Sequence, residues 1–255
     1  MTAASASLSA KTGASIAATT VLWLAAAVSV TPILLSRATT NQTSFRVLST
    51  NGNNPQPMVL FVPGCSGFVA NNGINIYDER AAELRAAGFR VIYVDYIGKR
   101  MQSNCAHLGQ AEVSADILDA VKRVAGQNGV DPNRIFVIGW SYGGGGVLAA
   151  LNAAPTDPPI AKAVLYYPVC RGAGPWSSMT SGLILLGAAD DIASPALCNT
   201  VAKGAPAEKL KVIIYPNARH GFDMRGLPET QGAGAPAYNP EAAIASWAAV
   251  LECLK

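Results

Sequence analysis

The chain has 255 residues, half of them apolar and only 14% charged, with a formal net charge of +3. That length holds one large core, a domain of roughly 200 residues with extra segments at its ends. The small positive charge, without a basic run or aromatic residues interleaved with basic ones, excludes a nucleic-acid partner, and five cysteines are too few for a disulfide-dense scaffold.

The segment 1–45 differs from the rest: Ala, Ser and Thr dominate, and no charge lies between Lys11 and Arg37. ASIAATTVLWLAAAVSVTPILL (Ala14 to Leu35) has the length of a membrane span, weakened by its threonines, serines and Pro32. It fits a signal peptide equally, with Lys11 as the positive flank and Ala25-Ala26-Ala27 as the small-residue cleavage site. The expectation is a leader over 1–45, exported or membrane-anchored with a cytoplasmic location as the alternative, and one folded domain over 46–255. Asn41-Gln42-Thr43 is a glycosylation sequon, relevant only in a host that glycosylates exported chains.

After an irregular start, SFRVLST and the turn-rich NGNNPQP, strands and helices alternate. The apolar runs MVLFVPG (Met58 to Gly64) and RVIYVDY (Arg90 to Tyr96) predict strands, separated by a helix over Ile76 to Gly88. Ala111 to Gly129 is an amphipathic helix with Val113, Ile117, Val121 and Val124 on one stripe. The turn signal Asp131-Pro132-Asn133 introduces the strand Arg134 to Gly139, and Val147 to Ala154 is helical. AKAVLYYPVC and GLILLGAADD are strands, SPALCNTVAKG a helix, KLKVIIYPNARHGFD a strand and loop, and PEAAIASWAAVLECLK the last helix. Nearly continuous apolar strands alternating with helices mean an α/β fold, a mostly parallel central sheet with helices on both faces.

In such a sheet ligands bind beyond the carboxyl ends of the strands. Gly139-x-Ser141-x-Gly143, between a strand and a helix, has the form of a nucleophile elbow, a tight turn that pushes the serine hydroxyl outward. Asp190 and Asp191 follow LILLGAA, and His220 follows VIIYPNAR, so all lie at the same edge in the order Ser, Asp, His. That order is the one expected of an α/β-hydrolase. His107 falls out of order and reads as a loop residue. A serine hydroxyl needs an imidazole to take its proton, and a carboxylate fixes the imidazole's tautomer. The oxyanion then needs two donors, the backbone N–H of Tyr142 and one from PGCSGF, for which Cys65 is the candidate. Phe68, Tyr96, Tyr142, Trp176 and Phe222 are the candidate lining of an apolar, aromatic pocket. No metal or cofactor is expected, and a small-molecule ester is the expected substrate.

PGCSGF, the DYIGKR and SNC segments, VDPNRIFVIGWSYGG, LYYPVC, LLGAADD followed by SPALC, IYPNARHGFD and AYNPEAAIASWAAVL resemble, in order and spacing, the dienelactone hydrolase family of α/β-hydrolases over roughly residues 58 to 252. The resemblance implies Ser141 as nucleophile, Asp190 as acid, His220 as base, and Cys65 and Tyr142 as oxyanion donors. Asp190 lies at the family's distance after the strand glycine, whereas counting back from Pro195 selects Asp191. The enzymes that open dienelactones carry a cysteine at the nucleophile position, an acidic residue where this chain reads PGCSG, and arginines that Arg100 and Arg225 match only with a displacement. The implied activity is therefore that of a serine esterase of this family. GWSYGG is also locally similar to the elbow of prolyl-oligopeptidase-type peptidases. GWSYGGGG with Trp176, Ser177 and Ser178 is locally similar to cutinase-like polyester hydrolases, the substrate alternative; a catalytically silent binding protein on the same fold is the alternative of another class. The fold's strand order implies disulfides Cys65 to Cys105 and Cys170 to Cys198, with Cys253 unpaired.

Overall fold

The structure, a computed structural model, describes residues 45–48, 54–68, 75–154, 159–230 and 232–255. The expected leader, its cleavage or anchoring and the sequon lie outside the described residues. Seven strands form one sheet: β1 (Phe45–Leu48), β2 (Gln56–Val62), β3 (Arg90–Val94), β4 (Val130–Trp140), β5 (Lys162–Tyr166), β6 (Ser181–Gly187) and β7 (Leu210–Tyr215). The helices between and after them are α1 (Ile76–Ala86), α2 (Gln110–Ala125), α3 (Ser141–Ala153), α4 (Pro195–Ala202) and α5 (Pro240–Cys253).

The strand order is β1-β3-β2-β4-β5-β6-β7, parallel throughout except for β1, which pairs antiparallel with β3. From β2 the chain crosses outward to β3 and then returns past β2 to β4, so the carboxyl ends of β2 and β4 flank the point where the strand order reverses. Loops leaving these two strands diverge and open a crevice. The stretch expected to be irregular at the start of the domain thus contains an edge strand, β1.

Strand periodicity sorts the core into two layers. Met58, Leu60 and Val62 of β2 face one layer with Ile135 and Val137 of β4, while Val59 and Phe61 face the other with Phe136, Ile138 and Trp140. The first layer is covered by α2, α3 and α4, the second by α1 and α5. Val113, Ile117, Val121 and Val124, the apolar stripe of α2, are all buried there, each contributing about 1.5–3 kcal/mol relative to exposure.

One turn signal behaves differently from its reading. Asp131-Pro132-Asn133 lies inside β4, and the pairing with β2 jumps from Gln56 opposite Val130 to Met58 opposite Ile135. The residues between bulge outward, with the Asn133 N–H donating to Asp131 Oδ1 at 3.0 Å. Proline lacks the ladder donor, so it is tolerated there because the bulge leaves the pairing. Among the described residues no helix is long and apolar enough to cross a membrane.

Candidate active site

Ser141 is the first residue of α3, directly after Trp140 at the end of β4, and its φ is 49°. A non-glycine residue in the left-handed region is strained by about 1–3 kcal/mol and persists only where its surroundings fix it. Here the fixing is done by small neighbours. A Cβ on Gly143 would stand 2.2 Å from the Pro63 carbonyl oxygen, and one on Gly146 would stand 2.3 Å from Val113 Cγ1. The glycine run therefore seats the first turns of α3 against the end of β2 and against α2, and is no hinge. Gly139 admits α3 in the same way, since its Cβ would meet Gly144 Cα at 2.9 Å.

The loops after β6 and β7 bring two further side chains to Ser141. The Ser141 hydroxyl donates to His220 Nε2 at 2.8 Å. The opposite ring nitrogen, Nδ1, donates to Asp190 Oδ2, also at 2.8 Å, which fixes the tautomer because a carboxylate only accepts. The other Asp190 oxygen accepts from the backbone N–H groups of Ile192 (2.9 Å) and Ala193 (2.8 Å). Asp190 and His220 are both buried, and Ser141 is half-buried. Gly187 lets the two loops close, since a Cβ there would meet the Ala218 carbonyl oxygen at 2.3 Å.

The neighbouring Asp191 turns away, accepting from Arg219 Nη2 and from the Gly234 N–H, each at 2.7 Å. These donors hold its carboxyl below the usual carboxylate range, the Gly234 N–H contributing most.

Tyr142 follows Ser141 in α3, and Cys65 lies on the loop after β2. A Cβ on Gly64 would lie 3.5 Å from Ser141 Cβ, which puts the loop after β2 in contact with the serine. The Gly64 N–H donates to the Tyr77 hydroxyl at 3.1 Å, so Cys65 supplies the next backbone donor along that loop. The N–H of Tyr142 belongs to the first turn of α3, where N–H groups have no intrahelical acceptor. Cys65 forms a disulfide with Cys105, and Cys170 one with Cys198, as the strand order implies; Cys253 is free.

The candidate lining divides. Phe68, half-buried on the same loop as Cys65, packs edge-on against Tyr77 and Tyr93. The Tyr142 hydroxyl donates to the Leu108 carbonyl. Tyr96 and Phe222 follow strands as expected but point into the core, both 0% exposed. Tyr96 donates to the carbonyls of Pro63 and Gly64 at 3.1 Å, and Phe222 packs among Tyr166, Tyr167 and Tyr215. Trp176 is 1% exposed and packs against Gly182, at the amino end of β6. That is the sheet edge opposite Ser141, so Trp176 is a core residue and lines no pocket at this site. Arg100 binds Asp116 and the Tyr96 carbonyl, Arg225 binds Glu79 at 3.0 Å, and His107 is exposed on its loop. Among the described residues no three His, Cys, Asp or Glu side chains gather into a metal-binding group.

Beneath the site lie residues that the sequence reading did not single out. The buried Asp223 carboxylate accepts from Trp140 Nε1 at 2.9 Å and from the Tyr167 hydroxyl, and the Tyr167 ring centroid is 4.6 Å from that of His220. Burial raises the Asp223 carboxyl above its ordinary range, against the two hydrogen bonds. The available signal was an aspartate between Phe222 and Met224, three residues after His220, since a buried carboxylate demands donors.

The family model described as dienelactone hydrolase family matches residues 46–255. The chain belongs to the dienelactone hydrolase family. Solved structures share the fold of this family member at low identity. A dienelactone hydrolase candidate from Klebsiella pneumoniae subsp. pneumoniae MGH 78578 is 19% identical with a TM-score of 0.63, over 80% of this chain and 88% of that one. A promiscuous dienelactone hydrolase-like phosphotriesterase from metagenomic libraries is 22% identical with a TM-score of 0.64, over 80% and 87%. The carboxylesterase Cest-2923 from Lactobacillus plantarum WCFS1 is 17% identical with a TM-score of 0.55, over 83% and 96%. No curated protein matches the chain. Membership makes this chain an α/β-hydrolase of a hydrolase family with esterases among its structural neighbours.

Proposed function

We propose that this family member is a serine-dependent carboxylic ester hydrolase working through an acyl-enzyme. The observation that carries the reading is the continuous hydrogen-bond chain from Asp190 Oδ2 through His220 to Ser141 Oγ, 2.8 Å at each step. In the proposed reaction Ser141 Oγ attacks the acyl carbon while His220 Nε2 takes its proton, and Asp190 stabilises the imidazolium. The Tyr142 and Cys65 N–H groups receive the oxyanion. The alcohol leaves with the proton from His220, and water, activated by the same imidazole, releases the acid and restores Ser141.

The test is hydrolysis of short p-nitrophenyl esters together with labelling by a fluorophosphonate probe. Ser141→Ala is expected to lose both, with kcat reduced by at least about four orders of magnitude. Wild-type hydrolysis by that variant would overturn the reading. A folded wild-type protein that neither labels nor hydrolyses would favour a silent binding protein. The polyester reading loses the support of Trp176, which packs at the far end of the sheet.

We also propose an exported or membrane-anchored location. Its support is the pair of disulfides, which persist in oxidising compartments. Recovery of the protein with all its cysteines as thiols from the cytoplasm alone would refute it.

A further inference from the structure

We propose that Asp223 is a positioning residue for the reaction above, holding the nucleophile's strand end through Trp140 and the base's imidazole through Tyr167. The proposal rests on the serine-hydrolase reading and adds a residue to it.

Asp223 joins three pieces of the site. Its Oδ2 accepts from the indole of Trp140, the residue before Ser141. Its Oδ1 accepts from the hydroxyl of Tyr167, whose ring lies against His220 at 4.6 Å between centroids and 59° between planes. Asp223 itself ends the short loop that begins at His220, with Gly221 in the left-handed region between them. Nucleophile, base and loop are thereby pinned to one carboxylate.

Strained backbone lies at or beside the pinned residues, at Tyr167 itself and at Ser141, which follows Trp140. Ser141 has φ 49° and Tyr167 φ 34°, and both lie in the left-handed region that side chains disfavour. The two turns are also bonded, the Val169 N–H donating to the Ser141 carbonyl at 3.0 Å, while the Tyr167 N–H donates to the Leu185 carbonyl of β6 at 2.8 Å. Such conformations persist only where the surroundings over-determine them.

A carboxylate is an expensive way to fill a core. Asp223 is 6% exposed among Trp140, Tyr166, Tyr167 and Phe222. Apolar side chains of similar volume often serve stability as well or better at such a site. Asp223 supplies what they lack, two fixed acceptors aimed at two aromatic donors. A misplacement of about 1 Å in a reacting group costs on the order of a hundredfold in rate, so orientation alone justifies the carboxylate.

The test compares Asp223→Asn and Tyr167→Phe with wild type on a p-nitrophenyl ester, with kcat expressed per site titrated by a fluorophosphonate. Asp223→Asn keeps the shape and one acceptor; Tyr167→Phe keeps the ring and removes only the hydroxyl. Each is expected to lower kcat per site by about 10- to 100-fold with KM within about twofold, and the double variant to fall no further than the worse single. A purely structural role would reduce the number of titratable sites and leave kcat per site unchanged. That outcome, or losses that multiply in the double variant, overturns the proposal. If Asp223→Asn fails to fold, Tyr167→Phe decides alone. Ser141→Ala run alongside separates the two claims: activity retained there fails the serine-hydrolase reading and this proposal with it, whereas Ser141-dependent activity with unaltered kcat in both variants fails only this proposal.

Discussion

The carboxylates of Asp190 and Asp191 leave the end of β6 in opposite directions, Asp190 to His220 Nδ1 at 2.8 Å and Asp191 to Arg219 and the Gly234 N–H. Successive residues leaving a strand alternate in direction, so the two cannot share one partner. Asp190→Asn is expected to lower kcat by about three to four orders of magnitude, because an amide facing Nδ1 favours the wrong imidazole tautomer. Asp191→Asn should change kcat by no more than about threefold, since it loses an exposed ion pair. Steady-state rates of the two variants check this, and a reversed order would move the acid's role to Asp191.

The glycine run of α3 yields a second comparison. A methyl at position 143 meets main chain at 2.2 Å, the Pro63 carbonyl beside the Cys65 loop, whereas a methyl at 146 meets the Val113 side chain at 2.3 Å. Gly146→Ala overpacks the contact between α2 and α3, a cost of about 1–3 kcal/mol against a helix-propensity gain of about 1 kcal/mol. It should lower the melting temperature by a few degrees and leave kcat close to wild type. Gly143→Ala must displace either the elbow or the loop across from it, so its kcat should fall well beyond any loss of folded protein. Equal kcat in the two variants would contradict this.

What the sequence disclosed about the site was a matter of strand ends. Ser141, Asp190 and His220 each follow an apolar run, and residues following parallel strands share one edge, so their meeting was legible without side chains. The same rule, applied to Trp176, places it at the other edge, because it precedes β6 rather than following it. Tyr96 and Phe222 follow strands yet point inward, and no periodicity in a loop reports that direction. The short edge strand β1 was hidden by its length of four residues and by the turn-rich segment after it. The partners of Asp223 were illegible for another reason: Trp140 and Tyr167 lie 83 and 56 residues away in sequence, and only the folded sheet brings them together.

The two disulfides should differ in what their loss does. Cys65–Cys105 and Cys170–Cys198 close segments with sequence separations of 40 and 28. In the chain-entropy account each contributes roughly 3–4 kcal/mol by restricting the unfolded chain. The first is attached to the loop whose Gly64 comes against the Ser141 side chain, where the Cys105 N–H also donates to the Cys65 carbonyl at 3.0 Å, whereas the second touches Ser141 only at its main chain, through the Val169 N–H on the Ser141 carbonyl. Replacing Cys170 and Cys198 by serine should lower the melting temperature with kcat near wild type at a temperature where the variant stays folded. Replacing Cys65 and Cys105 should lower both. A Cys65/Cys105 variant with wild-type kcat per titrated site would show that the bridge does not hold the loop for the reaction.

Asp223 also makes a prediction about stability and pH. Burial, the largest influence, holds its carboxyl above the usual range in the folded protein, whereas in the unfolded chain an aspartate titrates near about pH 4. A folded state that holds the proton more tightly gains stability from this group as pH falls: the contribution is complete below the unfolded value and is lost as pH rises through the folded one. Above the folded value, therefore, wild type carries an ionised buried carboxylate at a cost that asparagine does not bear. The difference in melting temperature, Asp223→Asn minus wild type, should be most favourable to the variant at about pH 7–8 and should shift against it on acidification toward about pH 4. Taking this as a difference cancels the titrations common to both proteins. Calorimetric scans of both across that interval check the sign, and a difference that stays flat, or that moves in the variant's favour as the solution is acidified, would mean that the folded protein does not raise this carboxyl.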